Sequence, residues 1–437
     1  MKTKLLYLWE SLQSSLWFVP LIIVMVAVGT AFGLIYLDSI IDYKPTGLFQ
    51  YFFSGGAESA RSILSTIAGA MLTVAGTVFS MTLVALTLAS SQFGSRMLRN
   101  FMHDRLNQIV LGAYIATFVY CLLVLRTVKS EHGIDFVPNV SVLFAIFVAI
   151  TNIFLLILFI HHISVSIQAD QVISDISDSL DKSIKTLFPE ALGEENEEDS
   201  EEKAIEIKKS FSIQTTVVNT RNGYLEAIDN ETLMNLAKEN DLFLTLEHRP
   251  GDFLVSKMEL VQINSKTECD DEIKQKIERA FILGNKRTPI QDSEFAIHQI
   301  VEIAARALSP GINDPYTAIT CIDKLTSAMG YLTRANFPSA YRYDREGQLR
   351  VITNPLTFHG MMDASFNQIR QYGKGSPAVL IRLMEVFIII NGLAGNKNQK
   401  SAVERHAAMV YRACESSHPD ANDLNDLKER YDRLLKN

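Results

Sequence analysis

A membrane domain of four transmembrane helices followed by a soluble α+β domain is the fold the sequence predicts, on three observations. Long apolar runs are confined almost entirely to the first 165 residues of the 437-residue chain. From Phe211 the pattern turns to the alternation of strands, and from about residue 269 it returns to helical periodicity. Four runs can cross a hydrocarbon core of ~30 Å: about 16–36, 62–91, 109–125 and 140–163. The domain limits that follow are 1–165 for the membrane helices, 166–203 for a helical stalk and acidic linker, 204–268 for a small β-rich cytosolic subdomain and 269–437 for a mainly helical cytosolic domain.

The first span follows an amphipathic opening with Lys2, Lys4, Trp9 and Trp17, residues suited to a headgroup region. It is too long for a signal-peptide core and no small-residue cleavage site follows, so it is expected to be retained. The loop 37–61 carries acids and the aromatic cluster Phe49, Tyr51, Phe52 and Phe53, which suits the membrane interface. Between the second and third spans, Arg96, Arg99 and Arg105 alternate with Phe93, Leu98, Phe101 and Met102 as a short basic amphipathic helix. Its charge places this loop and the N-terminus in the cytosol, and an even number of spans returns the C-terminus to the same side. Asn152 lies mid-span in the fourth helix, where interhelical hydrogen bonding is its expected role. His161 and His162 close that helix on different sides, a poor arrangement for a metal.

The second span has a feature the others lack. Ser62, Thr66, Gly69, Thr73, Gly76, Ser80, Thr87 and Ser91 follow one another at steps of three and four, with Leu83 inside the one longer step. That spacing sets a small, hydroxyl-bearing row on one face of a helix ~45 Å long with no charged residue. Such a face has two uses: close packing of other helices through small-xxx-small contacts, or exposure to water as the lining of a pore. In the second use Leu83, the one bulky member, would form an apolar ring that closes the path by dewetting.

The net charge of −8 is local rather than global, because Pro189–Lys203 holds eight carboxylates against one lysine. That run is read as a solvated linker, and the near-neutral remainder excludes nucleic-acid binding as an expectation. The cysteines Cys121, Cys269, Cys321 and Cys414 are scattered without metal or disulfide spacing, as in a reducing compartment.

Ahead of the linker, 164–187 continues as a helix with Ile167, Val172, Ile173, Ile176, Leu180 and Ile184 on one face. In the soluble part, 211–218 and 223–228 read as strands, and 230–240 as a helix capped by Asp229. The runs 242–247 and 253–263 flank Arg249-Pro250-Gly251-Asp252, a type II turn signature that predicts a hairpin. Helices are expected at 273–283, 293–308, from Pro315 behind an Asp314 cap, and at 358–372, 377–392, 401–416 and 423–435, with a hairpin at Asp344–Gly347. Ser401 and Glu404 suggest a capping box. Arg287, Asp292, His298, Asn313, Asp314 and Asp323 form a polar set around the turn Ser309-Pro310-Gly311-Ile312-Asn313. The set suits either helix capping and ion pairing or a ligand pocket or subunit contact.

The block Arg287–Leu325, the FG-SR segment after the second span and the QIRQYG run at Gln368–Gly373 resemble a widespread bacterial family of predicted integral membrane proteins, catalogued as a domain of unknown function. The resemblance implies a multi-pass protein of the bacterial inner membrane with a cytosolic C-terminal domain, and it implies no activity, substrate or catalytic residue.

No hydrolase, nucleotide-binding or metalloprotease motif is present, so the sequence predicts neither an enzyme nor a cofactor or metal site. Four short-looped spans without a mid-depth charge do not suit a secondary transporter. Two readings remain. One is a homo-oligomeric channel-like protein in the lipid bilayer, its second span against inorganic ions and its soluble domain a vestibule or gating element. The alternative is a membrane-anchored cytosolic sensor or scaffold that does not conduct.

Overall fold

The computed structural model describes residues 17–40, 56–94, 104–131, 134–187, 197–289, 291–292 and 294–436. The predicted N-terminal amphipathic segment, the aromatic cluster of the first loop and most of the basic segment around Arg96 and Arg99 lie outside these residues. The chain divides into two compact units, one ending at Gln171 and the other beginning at Val172.

Among the described residues the first unit holds four helices long and apolar enough to cross a membrane: α1 (Phe18–Ile40), α2 (Ala57–Phe93), α3 (Arg105–Thr127) and α4 (Asn139–Ser166). Each matches one predicted span. A short antiparallel pair, β1 (Lys129–Glu131) and β2 (Ile134–Phe136), joins α3 to α4. Half of the apolar core of α3 is buried, against 11, 22 and 17% for α1, α2 and α4, so α3 is the helix the others pack around. Its Gly112 allows α1 to approach closely, since a Cβ there would stand 2.8 Å from Ile23 Cδ1 and 2.9 Å from the Pro20 backbone.

Polar bonds lock the bundle where lipid offers no alternative partner. Asn152 Nδ2 donates to Thr117 Oγ1 at 2.8 Å, and the Tyr114 hydroxyl donates to the Asn152 carbonyl at 2.6 Å. Asn152 thus has the interhelical role its position predicts. At the end of α1, Asp38 accepts the Val140 and Ser141 amides at 3.0 Å each and caps α4 from a neighbouring helix. Asp104 caps α3 through the Leu106 amide and meets His162 Nε2, so His162 serves a helix end.

The continuous stalk helix predicted from Ser164 is interrupted. After Ser166 the chain turns at Ile167–Gln168 and restarts as α5 (Ala169–Leu187). Ser164 and Ser166 donate to carbonyls one turn back, a competition that weakens a helix ladder. The apolar side of α5, Val172 to Ile184, is buried. The acidic run read as linker is helical from Glu197, within α6 (Glu197–Ser210), while 188–196 lie outside the described residues. Two features favour the helix: Lys208 and Lys209 oppose the dipole in its last turn, and Ala204 and Ile207 join an apolar cluster with Phe243 and Leu349.

Among its described residues the second unit contains two sheets sharing one core. Its elements run β3 (Ile213–Val218), β4 (Gly223–Ile228), α7 (Asn230–Glu239), β5 (Phe243–Leu246), β6 (Phe253–Leu254), β7 (Glu259–Ser265), α8 (Asp271–Ala280) and β8 (Phe281–Gly284). Then follow α9 (Glu294–Ala307), α10 (Pro315–Leu332), β9 (Tyr341–Tyr343), β10 (Leu349–Ile352), α11 (Phe358–Tyr372), α12 (Pro377–Leu393), α13 (Lys397–Ser416) and α14 (Ala421–Lys436). The strand orders are β3-β7-β5-β10-β9 and β6-β4-β8.

The Arg249–Asp252 turn forms as predicted, with Gly251 at φ 103° and the Asp252 amide on the Arg249 carbonyl, but it is not a hairpin turn. The following run breaks after Leu254 and again turns at Lys257, φ 74°, so β6 pairs with β4 while β7 pairs with β5. The hairpin at Asp344–Gly347 does form, and β10 returns to lie parallel to β5. The predicted helix ending near Leu283 stops at Ala280, because Phe281–Gly284 pairs with β4 as β8. Sheet and core therefore draw on residues well beyond 268: Ile277, Phe281 and Val351 pack with Leu225, Leu244 and Val261.

Helices α9–α14 build a second core in this unit. The Phe366 and Phe387 rings meet edge-on at 5.1 Å, and the His406 ring lies 6.4 and 5.8 Å from them. The capping box expected at Ser401 is displaced one turn: α13 begins at Lys397, capped by Asn396 on the Gln399 amide at 2.9 Å, while Gln399 Oε1 reaches back to Gly395. Burial of His406, 1% exposed, pushes its pKa down to about 4; Asp363 at 3.1 Å opposes the shift, and Arg405 and Arg370 add to it.

The unfolded chain then takes up a proton near pH 6.5 that the folded chain refuses until about 4. Stability of the helical core is therefore full above pH 6.5 and falls as pH drops through that window, by up to roughly 3 kcal/mol. Thermal unfolding of the detergent-solubilised protein followed by circular dichroism between pH 7.5 and 4 should show this slope, and His406→Asn should flatten it. An equal slope in the variant contradicts the assignment.

Candidate functional site

Helix α2 has 37 residues and a length of ~55 Å, well over the hydrocarbon thickness. Its packing face is built from Ala60, Leu64, Ala68, Met71, Ala75 and Val78, which cluster with residues of α3 and α4, and the buried Ala85 and Ala89 continue the same line. The predicted row is on a different face. Ser62, Thr66, Gly69, Thr73, Gly76, Ser80, Leu83, Thr87 and Ser91 are all exposed in the protomer. A Cβ on Gly69 or Gly76 would meet nothing within 4 Å, so neither glycine serves close packing inside this chain.

The threonine hydroxyl hydrogens along the row are turned inward to the helix itself. Thr66 donates to the Ser62 carbonyl at 2.7 Å, Thr73 to Gly69 at 2.9 Å and Thr87 to Leu83 at 2.8 Å. Each oxygen keeps lone pairs free, so the row presents acceptors without a formal charge. Leu83, 48% exposed, is the one bulky side chain along it. Ser59, also exposed, continues the row toward the start of α2, and two further exposed hydroxyls flank it, Ser65 and Thr77. The spacing rule that selected the row passed over both because they start a parallel line one residue away.

The six polar residues of the second unit do not form one site. Arg287 and Asp292 make a two-pronged pair, Nε to Oδ2 at 2.7 Å and Nη2 to Oδ1 at 2.9 Å. Glu294 lies beside it, bonded to Arg249 Nη2 at 2.9 Å and 3.8 Å from His298 Nε2. Burial pushes the Asp292 carboxyl up against the pull of Arg287. Burial also raises Glu294, but His298, Arg249 and Arg287 outweigh it and hold that carboxyl below its ordinary value. Asn313, at φ 51°, and Asp314 belong instead to the turn between α9 and α10. Asp314 caps α10 on the Thr317 amide at 3.1 Å, and donation from the Thr317 hydroxyl and amide lowers its pKa. Asp323 is farther along α10 and pairs with Arg382 at 2.7 Å.

Arg249 and Glu294, absent from the predicted set, complete the ion-pair group. The readable signal was Gly251 in the turn. Its Cβ would stand 2.7 Å from Asp292 Oδ2 and 2.9 Å from Arg287 Nη2, so the turn glycine is required both for its positive φ and for the space the pair occupies. Among the described residues no group of three or more His, Cys, Asp or Glu could hold a metal ion.

Comparison with known proteins places this architecture. An uncharacterized protein of Mycobacterium bovis and another of Mycobacterium tuberculosis are each 30% identical over 422 residues, covering 95% of this chain and 79% of theirs. No solved structure matches the chain. The family described as "Predicted membrane protein (DUF2254)" matches residues 13–388, a stretch that includes all four apolar helices and most of the second unit. The chain belongs to that family of membrane proteins.

Proposed function

We propose that several copies assemble around α2 into a channel-like oligomer, with the second unit as a cytosolic vestibule or gating element. The observation that carries this reading is the exposure of the full hydroxyl row in a protomer that packs α2 through alanines on another face. A helix that needed only an anchor's contacts would not require an uncharged acceptor row along the whole hydrocarbon depth. Outward lone pairs on Thr66, Thr73 and Thr87 suit partly dehydrated cations better than anions. Leu83 from each copy would form the apolar constriction. We assign both termini to the cytosol, on the basic loop and on four cysteines that are free and buried. No catalytic step is assigned to any residue.

One observation favours the alternative, a tethered cytosolic sensor or scaffold. Hydroxyls already bonded to their own helix are tolerated against lipid, so the row could face acyl chains.

Thiol chemistry separates the two readings, and the buried native cysteines keep the background low. Thr73→Cys and Ser80→Cys should react with a small charged methanethiosulfonate in membranes at least tenfold faster than Phe154→Cys, whose site on α4 is exposed. Equal protection at all three sites favours the anchor. In reconstituted bilayers Leu83→Ser should raise leak conductance severalfold, and an unchanged current removes Leu83 from the gate.

A further inference from the structure

Helices α11 and α13 pack against each other, and charged residues line their contact. At one level Asp363 of α11 takes Arg405 Nη2 at 2.6 Å and His406 Nε2 at 3.1 Å from α13. Seven residues on, two turns and ~10 Å farther along each helix, the corresponding positions hold Arg370 and Arg412. The acid that serves the first level has no counterpart at the second.

The bonding shows the mismatch. Arg370 is half-buried, its Nε is fully buried without a hydrogen-bond partner, and its Nη groups, also unbonded, reach the surface. Arg412 is exposed. Among the described residues neither arginine makes an ion pair, and no carboxylate acts on Arg370. Burial, and then the charge of Arg412, push the Arg370 guanidinium below its ordinary value, yet an arginine stays charged at neutral pH. The surrounding groups do not offset that charge. His406 is buried and neutral, and Asn367, one turn before Arg370, gives its Nδ2 to Asp363 at 2.9 Å. Glu415, one turn beyond Arg412, is exposed and ion-pairs with neither arginine. Lys374, exposed in the short turn Gly373–Gly375 that touches α13, adds a third cation at the same end of α11. Like charges set at matching levels, with a buried donor left unmade, destabilise the helix pair, and an anion between them relieves both.

We propose that Arg370 and Arg412 hold the phosphoryl group of a phosphate monoester, their two forks meeting its oxygens from neighbouring helices. Such a group carries about two negative charges at pH 7 and three strong acceptor oxygens, against one charge and two oxygens for a carboxylate. The guanidinium fork matches phosphate in two-pronged fashion. A water-soluble ester and a lipid headgroup offer the same chemistry. The site does not depend on α2 lining a pore.

The test uses the full-length protein in neutral detergent micelles, with binding of inorganic phosphate followed by its phosphorus NMR linewidth at constant ionic strength. Phosphate should bind saturably with Kd below about 5 mM, and acetate should displace it only at tenfold higher concentration or more. Arg412→Gln, at an exposed position, should weaken phosphate at least tenfold. Arg412→Glu supplies the missing acid within the chain, so it should abolish binding and raise the thermal midpoint. Arg345→Gln, exposed in the Asp344–Gly347 turn, should leave binding unchanged. Competition separates the sources: stronger displacement by soluble glycerol phosphate marks a free ester, and stronger displacement by phosphatidate doped into the micelles marks a headgroup. Either result keeps the site. The proposal is overturned if phosphate fails to saturate, if acetate binds equally well, or if folded Arg412→Glu binds phosphate as the native chain does.

Discussion

Alanine sets how α2 sits against α3 and α4. In a bilayer no hydrophobic force draws helices together, so association rests on close van der Waals fit and on scarce polar bonds. Ala60, Ala68 and Ala75 supply the fit, the buried Ala85 and Ala89 continue their line, and the Asn152–Thr117 bond adds a fixed point between α3 and α4. Once this ridge is seated, the rotation of α2 is determined. The serines, threonines and glycines a fraction of a turn away are left facing outward. The functional reading inherits that rotation: were the glycines the packing face, the hydroxyls would be buried within the protomer.

The second unit shows the same economy with charge. Its buried carboxylate Asp292 is held by a two-pronged arginine, and the neighbouring Glu294 is shared among Arg249, Arg287 and His298. Burying such charges is tolerable only when they are fully paired. The group ties the Arg249–Asp252 turn to the start of α9, which explains why a turn that reads as a hairpin joins strands of different sheets.

Much of this was legible in the sequence, for local reasons. The four spans follow from apolar run length, Asp314 and Asp229 from cap chemistry, and the gathering of the row on one helix face from its step of three and four. What was not legible depends on partners distant in the chain. Two small-residue faces run along α2, and spacing alone does not say which one packs; the neighbours on α3 and α4 decide it. Phe281–Gly284 continues a helical pattern and becomes a strand only because β4 lies alongside. Asp323 and Asp292 share a sequence block but not a site, since Arg382 and Arg287 claim them separately. Glu197–Ser210 is too polar to support itself, yet two apolar residues packed with Phe243 and Leu349 of the interior strands β5 and β10 suffice to order it.

The central claim is that α2 helices from different copies meet along the exposed row. Oxidative cross-linking of Leu83→Cys in native membranes addresses it most directly, because a disulfide forms only when Cβ atoms come within about 4.5 Å. The account predicts covalent dimers at this position and none at Phe154→Cys, an exposed site on α4. Monomers at Leu83→Cys, or dimers through α4 alone, would contradict it.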